Sequence, residues 1–222
     1  ERAHAGAEPE RRRRHSCVAR RLRMTAEHWD DRYATVGATE VSWFQDDPAI
    51  SLELIGSVAG PTASVVDVGG GASVLVDRLL DRGHRDLTVV DLSQQALAAA
   101  RDRVGEAPVT WVVTDIRDWQ PDRTYDVWHD RAAYHFLTDP DEQQHYWHLV
   151  HDSVAPGGHV VIATFADDGP TMCSGLPVAQ YDEAGLASAM GERFTVLGSR
   201  REQHVTPSGG TQSFVWVLAQ RD

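Results

Sequence analysis

The chain has 222 residues, 41 % hydrophobic and 24 % charged, which provides for one sizeable core, falls short of two ordinary ones and is too apolar for a wholly disordered chain. No run approaches the roughly 18 consecutive apolar residues that a membrane-spanning helix needs, so a membrane protein is excluded. Residues 1–24 hold eight Arg against three Glu, so that against a formal total of −12 the remainder carries −17; an acidic body disfavours nucleic acid, whose phosphates draw on clustered Lys and Arg.

All 21 basic residues are Arg, which removes Schiff-base catalysis, a pyridoxal-phosphate anchor and a Walker A lysine. Cys17 and Cys173 are too few for a disulfide framework or a thiolate zinc site, and they fit a reducing, cytoplasmic setting. Residues 1–24 are expected to form a disordered Arg-rich leader. Neither the arginines at 11–14 nor those at 20–21 precede an apolar segment of signal-peptide type, and Glu1, Glu8 and Glu10 count against a transit peptide. Met24, followed by Thr-Ala-Glu-His-Trp, resembles a natural start, and one domain is expected over residues 25–222.

Trp29 and Tyr33, four apart, place two rings on one face of a helix over residues 26–33. An apolar cluster at Val41-Ser-Trp43-Phe44 and a turn at Asp47-Pro48 precede a helical pattern of Ile50, Leu52, Leu54, Ile55 and Val58, which Gly60-Pro61 ends. Ser64-Val-Val-Asp67-Val68, three glycines and a helix carrying Val74, Leu75, Leu79 and Leu80 follow. A second strand, 87–90, runs into Asp91, and Ser93 caps the next helix. Strands at 109–113 and 125–128, a helix over 140–154 and a fifth strand at 159–165 continue the alternation. Alternating elements of these lengths mean βαβ units and a buried parallel sheet. The strands at 194–197 and 213–218 have no helix between them and should pair antiparallel. The expected class is α/β, a doubly wound, mostly parallel, Rossmann-like seven-stranded sheet closed by a C-terminal antiparallel hairpin.

A glycine turn between strand and helix offers bare backbone to an anionic ligand group. Counting from Gly69 and Gly71, the third glycine of a dinucleotide fingerprint would fall at Val74, so the nicotinamide form is incomplete. Asp67, before Gly69, Gly70 and Gly71, would repel a pyrophosphate and attract an ammonium group. Asp91, 24 residues further on, is placed to accept from both hydroxyls of a ribose. Asp115, another 24 on, suits an adenine amino group, and the Ile116 backbone a ring nitrogen. Asp130 ends the fourth strand and, with Asp67, flanks the expected point where the strand order reverses.

These residues resemble the class I S-adenosylmethionine-dependent methyltransferases. The resemblance covers residues 26–220, with Asp67-Val-Gly-Gly-Gly-Ala-Ser as cofactor loop, Val89-Val-Asp91-Leu92-Ser for the ribose, Thr114-Asp115-Ile116 for the adenine, and Val154-Ala-Pro-Gly-Gly before the fifth strand. Ser73 departs from the third glycine that many members carry. The segments at 27–33, 41–44 and 128–131 resemble the branch around thiopurine S-methyltransferase and the citrate-synthase lysine methyltransferases. The resemblance implies S-adenosyl-L-methionine as cofactor and S-adenosyl-L-homocysteine as product. It also implies an aromatic cover of Trp29, Tyr33 and Trp43 whose faces attract the sulfonium, with Asp130 among the cofactor contacts. Asp130, Arg131 and His135 are the catalytic candidates, with Asp130 otherwise a cap of the next helix and His135 either a general base or a core histidine, and the acceptor is expected between residues 130–135, the aromatic cover and the loop at 173–181.

A small-molecule acceptor with a thiol or other heteroatom nucleophile is the first reading. A protein lysine methyltransferase is the second, and a nicotinamide-dependent reductase or a cofactor-sensing module the third. His145, His148 and His151 drift around a helix and have no evident carboxylate partner, so no metal site is expected. Cys173 and His204 sit in loops that would reach the sheet edge, where substrate contact and plain loop chemistry are both open.

Overall fold

The computed structural model describes residues 24–222; the expected leader, apart from Met24, lies outside them. Helix α1 (Ala26–Val36) starts where Thr25 Oγ1 accepts from His28 N, and ends at Gly37 with φ 88°. It is followed by α2 (Ala49–Val58), β1 (Val65–Val68), α3 (Leu75–Asp81), β2 (Leu87–Asp91), α4 (Gln94–Val104), β3 (Val109–Val113) and β4 (Tyr125–Arg131). A 3-10 turn over Tyr134–Phe136, α5 (Pro140–Ser153) and β5 (Val154–Phe165) come next. The chain closes with β6 (Met172–Cys173), β7 (Leu176–Pro177), α6 (Glu183–Met190), β8 (Phe194–Val205) and β9 (Thr211–Arg221).

Seven strands form one sheet in the order β3-β2-β1-β4-β5-β9-β8. The first five are parallel, while β9 runs antiparallel to both β5 and β8. The period of two along the strands sends Val66, Val68, Trp128, Val160 and Ile162 to one face, with α5 and α6. Val65, Val127, Val161 and Ala163 go to the other face, with α2, α3 and Leu97 of α4. Both faces are therefore buried, as a parallel sheet requires. The order reverses between β1 and β4, so the crevice at their carboxyl ends is where an open sheet of this kind takes its ligand.

The expected fold class stands, with four local differences. Helix α6 is low in hydrophobic contrast, yet Asp182 caps it by accepting from Gly185 N at 2.6 Å. The two-residue strands β6 and β7 form a separate small hairpin, turned by Ser174 and Gly175 in left-handed backbone. Strand β5 pairs with β4 from Val154 onward, across a register shift between Tyr125 and Val127. Strands β8 and β9 extend well past their apolar cores, because Arg200, Arg201 and Glu202 continue a strand that hydropathy alone cuts short. Among the described residues no helix is long and apolar enough to cross a membrane.

Candidate active site

Strand β1 delivers the chain into a loop that only glycine fits. Gly69 and Gly71 have φ of 68° and 46°. A Cβ on Gly69 would stand 2.7 Å from that of Ala133, and one on Gly71 2.8 Å from Tyr33 Oη. Beneath the loop the buried Asp67 Oδ1 accepts from His129 Nδ1 at 2.7 Å, and His129 Nε2 lies 2.9 Å from Ser51 Oγ. A carboxylate only accepts, so Nδ1 carries the proton, and in a neutral ring Nε2 takes the Ser51 hydroxyl hydrogen.

Two cavities open at this edge. The first, about 770 Å³ and partly open to solvent, runs from Asp91, Leu92, Thr114 and Ile116 to Phe136, Phe165, Cys173 and Phe214. The second, about 510 Å³, holds Ser51, Asp67, Gly70, Ser73 and His129 on its walls. Tyr33, Trp43, Gly69 and Arg131 line both. Loss of hydration pushes the Asp91 carboxyl up to about 7, against the Ser93 amide hydrogen bond, with the charge on Asp67 raising it further. The expected aromatic cover is assembled. Trp29 meets Trp43 and Phe136 edge to face at 5.6 and 5.1 Å, and Tyr33 meets Trp43 at 6.1 Å. Asp30 pins this helix down by accepting from Ser93 Oγ at 2.6 Å, at the start of α4.

Three expected site residues stand elsewhere. Asp115 is not on the cavity wall: Arg117 Nε donates to it at 2.8 Å, and Arg117 also reaches Glu142 at 3.1 Å and the Met24 carbonyl at 3.2 Å. Burial raises the Asp115 carboxyl, but those hydrogen bonds outweigh it and hold the pKa below the usual carboxylate range. Asp130 is wholly buried and accepts from Ala133 N at 2.8 Å, Tyr134 N at 3.0 Å and Tyr146 Oη at 2.6 Å. It shapes the turn through Ala132, whose φ of 72° is strained for a residue with a Cβ, and so acts as a positioning residue. His135 is also wholly buried, behind the rings of Phe136 and Phe165 at 4.5 and 4.7 Å. Its Nδ1 accepts from Phe165 N at 3.4 Å. Burial, with the charge on Arg131, pulls its pKa down to about 3, so the expected general base neither faces the cavity nor is basic enough to take a proton near neutrality.

Arg131 does reach the cavities, its side chain only 10 % exposed. His204 is a tie rather than a wall, with Nε2 at 2.8 Å from the Ser42 carbonyl. Ser51, Phe136, Phe165 and Phe214 line the cavities without having been singled out in the sequence, and Met24 and His129, noted there only as a start and within the 128–131 segment, line them too. Among the described residues no group of three or more His, Cys, Asp or Glu is placed to hold a metal ion.

Residues 65–158, from β1 into β5, match the family model described as a methyltransferase domain. Over 77 residues the chain is 40 % identical to the ribosomal RNA small subunit methyltransferase A of Salinibacter ruber, covering 34 % of this chain and 26 % of that protein. Over 115 residues it is 28 % identical to nodulation protein S of Rhizobium tropici, covering 51 % and 48 %. The chain thus spans from a quarter to about half the length of these curated relatives. Among solved structures, the 1,6-didemethyltoxoflavin-N1-methyltransferase of Burkholderia thailandensis, with bound 1,6-didemethyltoxoflavin and S-adenosylhomocysteine, superposes with a TM-score of 0.66 at 24 % identity over 88 % of this chain and 83 % of that one. The family match is thus to a methyltransferase domain, over residues 65–158.

Proposed function

We propose that the whole chain is an enzyme that moves a methyl group from S-adenosylmethionine to a heteroatom of a small, largely apolar molecule. The residues fit that cofactor. Glycine stands where a Cβ would collide, Asp91 presents a carboxylate to the first cavity for the ribose hydroxyls, and Ile116 with Leu92 forms an apolar slot for the base. Asp67, held from below by His129, suits the amino group of the methionine part, and Trp29, Tyr33 and Trp43 form the cover. When bound, S-adenosylmethionine supplies an electrophilic methyl on a sulfonium. The protein's part is to orient the two reactants, to exclude water and to present ring faces to the cation.

The observation that carries the acceptor class is the far half of the first cavity, walled by Phe136, Phe165, Cys173 and Phe214. Its one thiol is pushed up to about 11 by burial, and the nearest histidine is sequestered. No wall residue there takes a proton at neutral pH, so the acceptor brings its own lone pair, as a thiolate or an unprotonated amine does. The resemblance of the aromatic segment to the thiopurine S-methyltransferase branch favours the thiol. A lysine acceptor would meet the cationic Arg131, and the acidic body disfavours RNA. The absence of an evident disulfide framework supports a cytoplasmic setting.

Calorimetry with S-adenosylmethionine, S-adenosylhomocysteine and NAD, followed by transfer of labelled methyl to thiols, amines, phenols and lysate proteins, tests this. The first two should bind and NAD should not, with label appearing on a small thiol or amine. A chain that binds neither sulfur compound, or that labels proteins alone, refutes the reading.

A further inference from the structure

Arg131, the last residue of β4 and a wall residue of both cavities, leaves one hydrogen-bonding edge unpaired. Its Nη1 donates to the Trp43 carbonyl at 2.9 Å. Its Nε and Nη2 are buried and have no hydrogen-bond partner among the described residues. The carboxylate that faces it among the described residues, Glu202, comes no closer than 3.9 Å, beyond hydrogen-bond range. Both its oxygens are engaged, Oε1 by Gln45 at 2.9 Å and Oε2 by Trp216 at 2.8 Å. Nε and Nη2 form the side edge of the guanidinium, whose two parallel donors match a carboxylate in bidentate geometry. Burying such an edge unpaired is costly, and native structures rarely do so without a ligand or water to take it.

Position tells which ligand. The guanidinium lies 4.4 Å over the Phe214 ring, on the β5 and β9 side of the crevice, whereas Asp91 and Ile116 belong to the β2 and β3 side. Arg32 of α1 adds a third buried nitrogen with no partner among the described residues, Nε. Both arginines act on the Cys173 thiol in the cavity wall, drawing its pKa downward against burial. Positive potential thus gathers in the apolar half, where a cationic sulfonium alone would be repelled.

We infer that the methyl acceptor carries a carboxylate, or a planar anion of like shape, gripped by the Nε and Nη2 edge of Arg131 while its apolar body lies among Phe136, Phe165 and Phe214. The inference rests on the methyltransferase reading and names its substrate class. The anion completes the guanidinium's hydrogen bonds, offsets its charge beside the sulfonium and fixes the angle at which the nucleophile faces the methyl group. A carboxylate also exists on the amino-acid part of the cofactor, and the experiment separates the two sources.

The full chain saturated with S-adenosylhomocysteine is titrated calorimetrically with benzoate, phenylacetate and indole-3-acetate, each against its own primary amide. At least one acid should bind tenfold or more tighter than its amide. Arg131→Gln should abolish that preference while changing S-adenosylhomocysteine affinity less than threefold, and Arg131→Lys, which keeps the charge without the fork, should retain part of it. If no acid outbinds its amide in the unaltered protein, the inference is overturned, whatever the variants do. It is also overturned if Arg131→Gln leaves the acid preference intact, and a tenfold loss of S-adenosylhomocysteine affinity alongside would give the edge to the cofactor's carboxylate. Failure of the unaltered chain to bind S-adenosylhomocysteine would strike down the methyltransferase reading itself, and the inference with it.

Discussion

Gly70→Ala tests whether the cofactor loop is held by the network beneath it. Gly70 has no left-handed backbone to lose; its added methyl would instead stand 2.5 Å from Asp67 Oδ2 and 2.6 Å from Val89 Cγ1. Ordinary contacts of these kinds are about 1 Å longer, so the Asp67 carboxylate must swing away or the loop must lift. Swinging breaks the 2.7 Å bond to His129, a charge-assisted contact of about 1.5–3 kcal/mol. Overpacking against Val89 adds about 1–3 kcal/mol. We expect a loss of about 3–5 kcal/mol by urea unfolding, a fall in Tm on the order of 10 °C for a domain of this size, and loss of measurable S-adenosylhomocysteine binding. Gly198→Ala is the control, since its methyl meets nothing within 4 Å and should change stability by no more than about 0.5 kcal/mol. An unchanged urea midpoint and affinity in Gly70→Ala would show that the loop is not seated on Asp67.

Asp91→Asn should weaken S-adenosylhomocysteine by one to two charge-assisted contacts, about 1.5–3 kcal/mol each. Because the free carboxyl titrates near 7 and hydroxyl donors favour its ionised form, its pKa falls on binding. Protons are therefore released and affinity rises from pH 6 to pH 8 in the unaltered chain, while Asp91→Asn should show a flat calorimetric profile over that range. Arg117→Met frees Asp115, Glu142 and the Met24 carbonyl together. About 1–3 kcal/mol of stability, measured by denaturant unfolding, and a several-fold loss of S-adenosylhomocysteine affinity should follow as the Met24 wall loosens. In a Cys17→Ser background, Cys173 should react with a chromogenic disulfide at pH 7.5 far more slowly than a small free thiol, since burial pushes it up to about 11; labelling at the free-thiol rate would contradict its place in the closed wall.

The glycine-loop side of the crevice was legible in the sequence because it is local. Strand, glycine turn and helix follow one another around Asp67, and the strand tip at Asp91 announces itself through Ser93 as cap. The half proposed for the acceptor is built from pairings that leave no local trace. Phe165 and Phe214 stand opposite each other across β5 and β9, and the contacts of His129 with Asp67 and Ser51 join residues 62 and 78 positions apart. Strand period explains the misplacement of Asp130. His129 and Arg131 point to the cavities, so the residue between them must point to the opposite face, where Tyr146 of α5 meets it. Asp115 looked like an adenine contact because its spacing repeats that of Asp91, yet Arg117, two residues away, takes the carboxylate first. His135 lies too near Phe165 and Phe136 to keep any water around it, a property of packing that a list of histidines does not contain.

The signs of the charges around the crevice bear on how its two ligands influence each other. Asp67 and Asp91 flank the glycine loop on one side, and Arg131 stands across from them with its charge incompletely matched. Burial pulls its pKa down to about 10 even with Glu202 nearby. A cationic sulfonium between these groups gains from the carboxylates and is opposed by the arginine, so an anion seated on Arg131 should favour a cationic cofactor over a neutral one. For charges roughly 8 Å apart at an effective dielectric of 20 the interaction is about 2 kcal/mol, and because the cavity opens to solvent a smaller effect, about three- to tenfold in affinity, is expected. The coupling is reciprocal. Benzoate should therefore bind more tightly to the chain loaded with sinefungin, whose protonated amine stands at the methyl-bearing position, than to the chain loaded with S-adenosylhomocysteine, which is neutral there. In Arg131→Gln the difference should persist, because it arises between the ligands, while the absolute affinity for benzoate falls in both complexes. Equal benzoate affinity in the two complexes of the unaltered chain would mean that the anion sits too far from the methyl group to be part of the acceptor.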